Sequence, residues 1–193
     1  MQPPEVIDAD GHVRDRDTEI RKFMEEPFCR RQGPLVAKDK WDSSMYGKLG
    51  MRVDDVPTRL RDMDQEGIDV SVLFPTSAFG ITQSPEKAYA AAFCRGYNDW
   101  IGNLCKESPR LKGIGLVPFQ DVPSAVAEIN RAVTKLGLVG IAIASYGMKD
   151  AEFGKYLTLP KLTHALLEAA VEGRNVPRDL LSQNGWRLRN AVE

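Results

Sequence analysis

Asp10 and His12 are the residues whose types and spacing point most directly to chemistry. They lie in the stretch Ile7-Asp8-Ala9-Asp10-Gly11-His12, at the end of the first expected strand. Side chains two residues apart on an extended segment point the same way, so the carboxylate and the imidazole could reach one metal ion together. This donor pair suits zinc, manganese or iron. The alternative interpretation is a hydrogen-bonded Asp–His pair in a loop, which is the commoner role of such neighbours.

Further polar side chains follow the other expected strands, where a substrate pocket would form. In parallel α/β folds, ligands bind at the carboxyl ends of the strands. Thr76 follows the second expected strand, Gln120 the third and Tyr146 the fourth, and we expect all three to contact substrate. Because polar loop residues are common at such ends, a purely structural role is the alternative. The sequence assigns no residue as the catalytic acid or base.

A parallel sheet is needed to bring these residues together, and the sequence predicts one. Short apolar runs rich in β-branched residues cover residues 6–9, 68–74, 112–117 and 138–144. The last three are nearly continuous apolar runs, which is typical of strands buried on both faces of a parallel sheet. Helical patterns separate the runs, and this alternation implies βαβ crossovers. The fold class is therefore α/β, with about four parallel strands.

Capping residues indicate where the intervening helices begin and end. The pair Asp54–Asp55 can cap a helix that ends at Gly67. A longer helix is expected over residues 84–107. Asp121 can cap a third helix, and Gly137 follows it at a position that favours a left-handed residue.

The chain is expected to form a single domain, residues 1–193, with two parts that depart from the alternation. Residues 13–53 are too long for a strand–helix connection and contain aromatic residues, so we expect an insertion over the strand ends. A partly disordered loop is the alternative. Residues 147–193 have leucine-rich helical stripes and are expected to form a C-terminal helical segment.

Composition excludes several classes of function. The chain has 193 residues with 26 Lys plus Arg and 27 Asp plus Glu, so its net charge is −1 and no nucleic-acid surface is expected. No apolar run is long enough to cross a membrane, and the N-terminus has no secretory pattern. The 3 cysteines are expected to be free thiols, which is typical of a cytoplasmic protein.

Several stretches, in order along the chain, resemble the amidohydrolase-related family, in the branch of aminocarboxymuconate-semialdehyde decarboxylase and the resorcylate decarboxylases. The resemblance covers residues 5 to about 146, with a short further match at 180–188. The main matching stretches are Val6-Ile7-Asp8-Ala9-Asp10-Gly11-His12-Val13, Arg59-Leu60-Arg61-Asp62-Met63-Asp64-Gln65-Glu66-Gly67-Ile68-Asp69-Val70, Tyr97-Asn98-Asp99-Trp100, Leu111-Lys112-Gly113-Ile114-Gly115-Leu116-Val117-Pro118 and Gly137-Leu138-Val139-Gly140-Ile141.

This resemblance implies a metal-dependent (β/α)8 barrel that hydrolyses or decarboxylates small carboxylates or aromatic acids. Asp10 and His12 match the family's first two metal-ligand positions, with zinc as the expected ion and manganese or iron as alternatives. The family's third ligand histidine, catalytic histidine and last aspartate find no match. The only other histidine, His164, falls on a helix face opposite the apolar stripe.

The resemblance also predicts a partial TIM-type barrel, because a complete one takes about 250 residues. We expect the middle of the family's chain to be missing, by natural deletion or by an error of gene prediction, and activity to be impaired. Open sheet edges favour a homo-oligomer. The alternatives are a non-catalytic remnant that acts in interactions, and a protein that binds a small molecule without turnover.

Overall fold

Four parallel strands form the centre of the molecule. The structure is a computed structural model of the chain and describes residues 6–36 and 55–143. Every pair of neighbouring strands is parallel, and the spatial order β1-β2-β3-β4 is also the order along the chain. The prediction of an α/β fold with about four parallel strands is confirmed. The strands are β1 Ile7–His12, β2 Val70–Phe74, β3 Leu111–Gly115 and β4 Gly140–Ile141.

Helices connect these strands. A short helix follows β1, and one longer helix precedes each of β2, β3 and β4. No helix in the described ranges is long and apolar enough to cross a membrane. The α-helices are α1 Asp17–Ile20, α2 Val56–Glu66, α3 Lys87–Cys105 and α4 Val122–Thr134, and 3-10 turns cover Arg21–Phe23, Phe28–Arg30 and Ser77–Gln83.

The caps predicted for α2 and α4 are confirmed. The Asp55 carboxylate accepts a hydrogen bond of 2.8 Å from the backbone N–H three residues later, and the Asp121 carboxylate accepts one of 3.1 Å in the same way. Gly67 and Gly137 have φ of 71° and 72°, a left-handed conformation that glycine adopts without a steric cost. These four positions fix the ends of two of the connecting helices.

The strands begin and end at residues different from those expected. β1 was expected at 6–9 but continues through polar residues to His12, because its backbone pairs with β2 whatever the side chains are. β4 was expected at 138–144 but pairs with β3 only at Gly140 and Ile141. The apolar character of a run therefore located each strand but not its ends.

Residues 17–36 pack along α3. Met24 lies against Gly96, where an added Cβ would come within 2.5 Å of the Met24 Cγ. Leu35 is buried, and its carbonyl accepts a hydrogen bond from the hydroxyl of Tyr89 on α3. The rest of the expected insertion, 37–53, and the expected C-terminal segment, 147–193, lie outside the described residues. Both expectations remain predictions.

The main core forms where α3 meets the sheet. It includes side chains that are at most 2% exposed, among them Leu73, Phe93, Tyr97, Ile101 and Leu111. All three cysteines are free thiols, as expected. Burial raises the pKa of the Cys94 thiol well above its ordinary value, so this cysteine behaves as a small apolar core residue.

Candidate metal centre

A bulge shapes the end of β1. Asp8 pairs with Ser71 of β2 and Gly11 pairs with Leu73, so β1 has one more residue than β2 between these two pairs. A β-bulge of this kind bends a strand and redirects the side chains beside it. The side chain of Asp10, inside the bulge, is 97% exposed. The periodicity of the sequence did not predict this bulge.

Asp8 and Gly11 hold the bulge in place. One oxygen of the Asp8 carboxylate accepts the Asp10 backbone N–H at 3.0 Å, and the other accepts the Ser71 hydroxyl at 2.9 Å. A Cβ at residue 11 would lie 2.5 Å from the Ser71 Oγ and 2.7 Å from the Asp8 Oδ2. The close approach of β1 and β2 at this point therefore requires glycine.

The imidazole of His12 lies beside the carboxylate of Asp10. Its Nε2 is 4.0 Å from the Asp10 Oδ1, and the His12 side chain is 33% exposed. This distance is too long for a hydrogen bond, so the alternative of a hydrogen-bonded pair is not what the structure contains. Nitrogen and oxygen ligands bind zinc at about 2.0–2.2 Å, and two of them in a tetrahedral site lie about 3.3–3.6 Å apart. The donor types fit a divalent metal ion, and the solvated Asp10 side chain would have to move about 0.5 Å closer to His12 for both to bind one ion.

Other contacts fix the backbone on which His12 sits. The Val13 N–H donates to the Phe74 carbonyl at 3.0 Å, which continues the pairing of β1 and β2. The guanidinium of Arg59, on α2, donates to the His12 carbonyl. Burial lowers the pKa of Arg59, against the opposing attraction of the Asp8 carboxylate. The end of β1 is thus held by both the neighbouring strand and a helix.

Asp15 is a buried carboxylate that sequence reasoning missed. It is 5% exposed and accepts backbone N–H groups from Thr76, Ser77 and Ala78 at 2.9, 3.0 and 2.7 Å. Burial raises its pKa to about 6, although the three hydrogen bonds act in the opposite direction. In the sequence Asp15 stands among alternating charged residues, so its type and spacing gave no signal.

Thr76 lies next to His12 and is half-buried. Its hydroxyl donates to the Val13 carbonyl at 2.8 Å and is 3.2 Å from the His12 Nδ1. The hydroxyl can still contact a substrate through its remaining lone pair, so its expected role in substrate binding stays a prediction. Tyr146 and His164 lie outside the described residues.

Gln120, the second predicted substrate residue, connects two loops. Its side-chain N–H groups face the carbonyls of Ile81, Thr82 and Ser84 at 2.9, 3.3 and 2.9 Å. Its Oε1 is the one buried side-chain nitrogen or oxygen without a hydrogen-bond partner in the described part of the chain. Buried acceptors are normally satisfied, so a donor for this oxygen would have to come from outside the described residues.

Asp10 and His12 are two candidate donors in the part of the molecule that the structure covers. Across residues 6–36 and 55–143, no group of three or more His, Cys, Asp or Glu side chains is placed to hold one ion. Catalytic zinc sites use three protein ligands as a rule. The two candidate donors are therefore fewer than such a site uses.

Comparisons with known proteins find a matching family and similar enzymes. A family model for amidohydrolases matches residues 7–182. The chain is 30% identical over 145 residues to gamma-resorcylate decarboxylase from Rhodococcus jostii, covering 72% of this chain and 43% of that protein. It is 30% identical over 111 residues to 2-amino-3-carboxymuconate-6-semialdehyde decarboxylase from Dictyostelium discoideum, covering 56% of this chain and 30% of that protein.

Solved structures show the same fold over a longer chain. The 5-carboxyvanillate decarboxylase from Novosphingobium aromaticivorans, solved with manganese, matches with a TM-score of 0.61 at 22% identity, over 89% of this chain and 49% of that chain. The 2,6-dihydroxybenzoate decarboxylase from Rhizobium matches with a TM-score of 0.54 at 20% identity, over 83% and 48%. The chain thus has a partial TIM-barrel fold, as predicted, and spans between 30% and 49% of the length of the four proteins named here.

Proposed function

This chain belongs to the amidohydrolase family, and we propose that Asp10 and His12 bind a divalent metal ion at the end of β1. The observation that carries the proposal is the 4.0 Å separation between the Asp10 Oδ1 and the His12 Nε2. One of these donors is fully solvated and the other is one-third exposed, so an ion can approach both from solvent. The ancestral reaction would be metal-assisted decarboxylation or hydrolysis of a small carboxylate or aromatic acid.

The donor types allow zinc, manganese or iron. Zinc is the ion we first expect for a carboxylate and an imidazole, and two solved decarboxylases with this fold bind manganese. A divalent ion, when bound, would polarise a substrate carboxylate or activate a water molecule. Within the chain, Asp8 and Gly11 hold Asp10 in its bulge, and Arg59 holds the His12 backbone.

The proposed substrate class is an aromatic or other small carboxylic acid. The relatives named above are decarboxylases of such acids, which supports this class. The residues proposed to line the substrate pocket are Thr76, Gln120 and Tyr146. Thr76 and Gln120 follow β2 and β3, at the end of the sheet where ligands bind in parallel α/β folds.

We further propose that turnover by this chain is impaired. Two protein donors leave an ion loosely positioned, and a displacement of about 1 Å can reduce a rate by two orders of magnitude. No other histidine lies in the described ranges to act as an acid or base beside the ion. The three free thiols are compatible with a reducing compartment, and we place the protein in the cytoplasm.

Metal titration tests the centre directly. Calorimetry with Zn²⁺ and Mn²⁺ should give one weak site in the wild type and no site in His12→Ala or Asp10→Asn. Asp62→Asn, on the exposed surface of α2, is the matched control and should bind like the wild type. Equal binding by the wild type and His12→Ala would overturn the proposal.

A turnover assay tests the impairment. A panel of aromatic and muconate-type acids with added Zn²⁺ or Mn²⁺ should release no more carbon dioxide or hydrolysis product than the metal blank. Turnover above the blank that disappears in Asp10→Asn would show that the chain is a working enzyme. Residues outside the described ranges would then have to complete the site.

The alternative function is a non-catalytic interaction protein. Exposed apolar side chains on the open strands favour it, with Ile7 of β1 54% exposed and Val139, just before β4, 52% exposed. A second alternative without catalysis is a protein that binds a small acid and does not convert it. Metal titration separates both from the proposed centre, because neither predicts a site that depends on both Asp10 and His12.

A further inference from the structure

We infer that Thr76 is a positioning residue that holds the His12 imidazole in its Nδ1–H tautomer, so that Nε2, which lies 4.0 Å from the Asp10 Oδ1, keeps its lone pair. The contacts that carry this inference are the hydrogen bonds of the Thr76 hydroxyl. The inference rests on the proposed function only where it concerns metal binding, because the tautomer of His12 is a property of the metal-free chain.

Proton counting assigns the tautomer. The Thr76 hydroxyl has one proton, and the Val13 carbonyl at 2.8 Å can only accept, so that proton belongs to the bond with Val13. The Thr76 Oγ1 must then accept from the His12 Nδ1, which lies 3.2 Å away. A neutral imidazole carries one proton, so the Nε2 is left without one.

The remaining nitrogen is placed to bind an ion. The Nε2 of His12 is the atom that lies 4.0 Å from the Asp10 Oδ1. Metal ions bind the unprotonated nitrogen of a neutral imidazole, and the hydrogen bond made by the other nitrogen fixes which one that is. The Thr76 hydroxyl therefore presents the correct atom of His12 to an ion bound by Asp10.

The backbone around Thr76 keeps the hydroxyl in place. The buried Asp15 carboxylate accepts the N–H groups of Thr76, Ser77 and Ala78, and this fixes the turn that follows β2. Because His12 is paired with Phe74 in the sheet, the register of β1 and β2 sets the distance between the His12 and Thr76 side chains. Thr76 therefore acts on His12 from a rigid position, which a loop residue free to move could not do.

Nitrogen NMR of the metal-free protein tests the tautomer. The chain has 2 histidines, so His164→Gln leaves His12 as the only imidazole signal. Long-range ¹H–¹⁵N spectra, recorded above the pH range in which histidines titrate, should show Nδ1 protonated and Nε2 unprotonated. A predominant Nε2–H signal in this background would overturn the inference without any substitution at Thr76.

Substitutions at Thr76 test the cause. Thr76→Val removes the hydroxyl at nearly constant shape and should shift the tautomer ratio toward Nε2–H by roughly five- to tenfold. Thr76→Ser keeps the hydroxyl and should retain the Nδ1–H form. Thr134→Val removes the hydroxyl of an exposed residue of α4, which donates to the Asn130 carbonyl, and is the matched control that should leave the ratio unchanged. An unchanged ratio in Thr76→Val would overturn the inference.

Metal binding separates this inference from the proposed function. If the positioning role and the proposed metal site are both correct, Thr76→Val should weaken Mn²⁺ or Zn²⁺ binding about tenfold or more, and Thr76→Ser should bind like the wild type. If the wild type has the Nδ1–H tautomer but binds no metal, the proposed function fails and the positioning role of Thr76 stands. If the wild type binds metal and Thr76→Val binds it equally well with the same tautomer, only the positioning role fails.

Discussion

A single methyl group at residue 11 would collide with the atoms that shape the end of β1. The nearest of them are the Ser71 Oγ at 2.5 Å, the Asp8 Oδ2 at 2.7 Å and the Val72 carbonyl oxygen at 2.9 Å. The third is backbone, so it cannot move aside without disturbing β2. Gly11 is thus a steric requirement of the site and not merely a flexible link between two candidate ligands.

We predict that Gly11→Ala lowers the free energy of unfolding by about 1–3 kcal/mol, as overpacking does elsewhere. The measurement is urea unfolding followed by circular dichroism. Adding Ser71→Ala removes the nearest colliding atom and should recover part of the loss. If Gly11→Ala is as stable as the wild type, the close approach of β1 and β2 described above is wrong.

Asp15 gives the folded chain a pH dependence whose sign follows from its burial. Its pKa is about 6 in the folded state against an ordinary value of 3.8, so the folded chain binds this proton more tightly than the unfolded chain. The resulting stabilisation is complete below the unfolded pKa and is lost as the pH rises through about 6. A shift of about two units corresponds to roughly 3 kcal/mol.

Asp15→Asn should remove this dependence, because an amide does not titrate. We expect the free energy of unfolding of the wild type, minus that of the variant, to fall by up to ~3 kcal/mol between about pH 4 and pH 7. Denaturant unfolding at several pH values measures it, with the exposed Asp62→Asn as the control. If this difference rises with pH, or does not change, then Asp15 does not have a raised pKa in the folded state.

Sequence reasoning predicted part of this site and missed the rest for a physical reason. The i, i+2 spacing of Asp10 and His12 is local, so the sequence alone could suggest that the two side chains meet. The contact of His12 with Thr76 depends on which residues of β1 and β2 are paired, and residue spacing does not set that register. Asp15 was missed for the same reason, since its three partners are about sixty residues away along the chain.

At the scale of helices and strands, the buried Asn98 side chain connects α3 to the end of β3 and to α4 through hydrogen bonds. Its side-chain N–H groups donate to the Leu116 carbonyl at 2.8 Å and to the Glu128 Oε1 at 2.7 Å. Its Oδ1 accepts the Leu116 N–H at 2.8 Å. The guanidinium of Arg131 then binds the same Glu128 carboxylate at 2.8 Å. The network is buried and joins the end of β3 to the two helices on either side of it.

We predict that Asn98→Ala lowers the free energy of unfolding by about 2–5 kcal/mol. The substitution leaves a buried N–H, a buried carbonyl and one side of a buried carboxylate without their partner. Thermal and urea unfolding would measure the loss. Asn103→Ala, on the exposed face of the same helix, should change stability by less than about 0.5 kcal/mol. Similar effects at the two positions would argue against the network.

Helix ends were predictable where strand ends were not. Asp55, Gly67, Asp121 and Gly137 act through their own backbone and the next few residues, so their types alone indicated where α2 and α4 begin and end. A strand ends where its partner ends, and that partner lies far away in the sequence. This is why β1 extends through Asp-Gly-His although those residues are poor strand formers.

On the scale of the whole molecule, β1 and β4 are each paired on one side only within the described residues. Apolar side chains at these edges are about half exposed, including Val6 at 49% and Ile143 at 51%. Two copies of a four-stranded parallel sheet supply eight strands, the number in a complete (β/α)8 barrel. A second copy of this chain is therefore a suitable partner for the open edges.

We predict that the protein forms a homodimer at micromolar concentration. Light scattering or sedimentation would measure its mass, and Ile7→Lys on β1 should shift the equilibrium toward monomer. Phe23→Lys introduces the same charge at an exposed apolar residue away from the strand edges, so it should not change the equilibrium. A wild-type protein that stays monomeric would contradict the open-edge interpretation.

The strand order has a consequence for the cost of assembling the sheet. Each strand pairs with the strand that follows it, and the loops that close are successively shorter: Ile7 to Val70, Ser71 to Leu111 and Ile114 to Gly140. Loop closure costs less entropy as loops shorten, so each pairing is easier to form than the one before. The pairing of β3 with β4 is therefore the least costly to form, and the pairing of β1 with β2, which places the two candidate ligands beside Thr76, is the most costly.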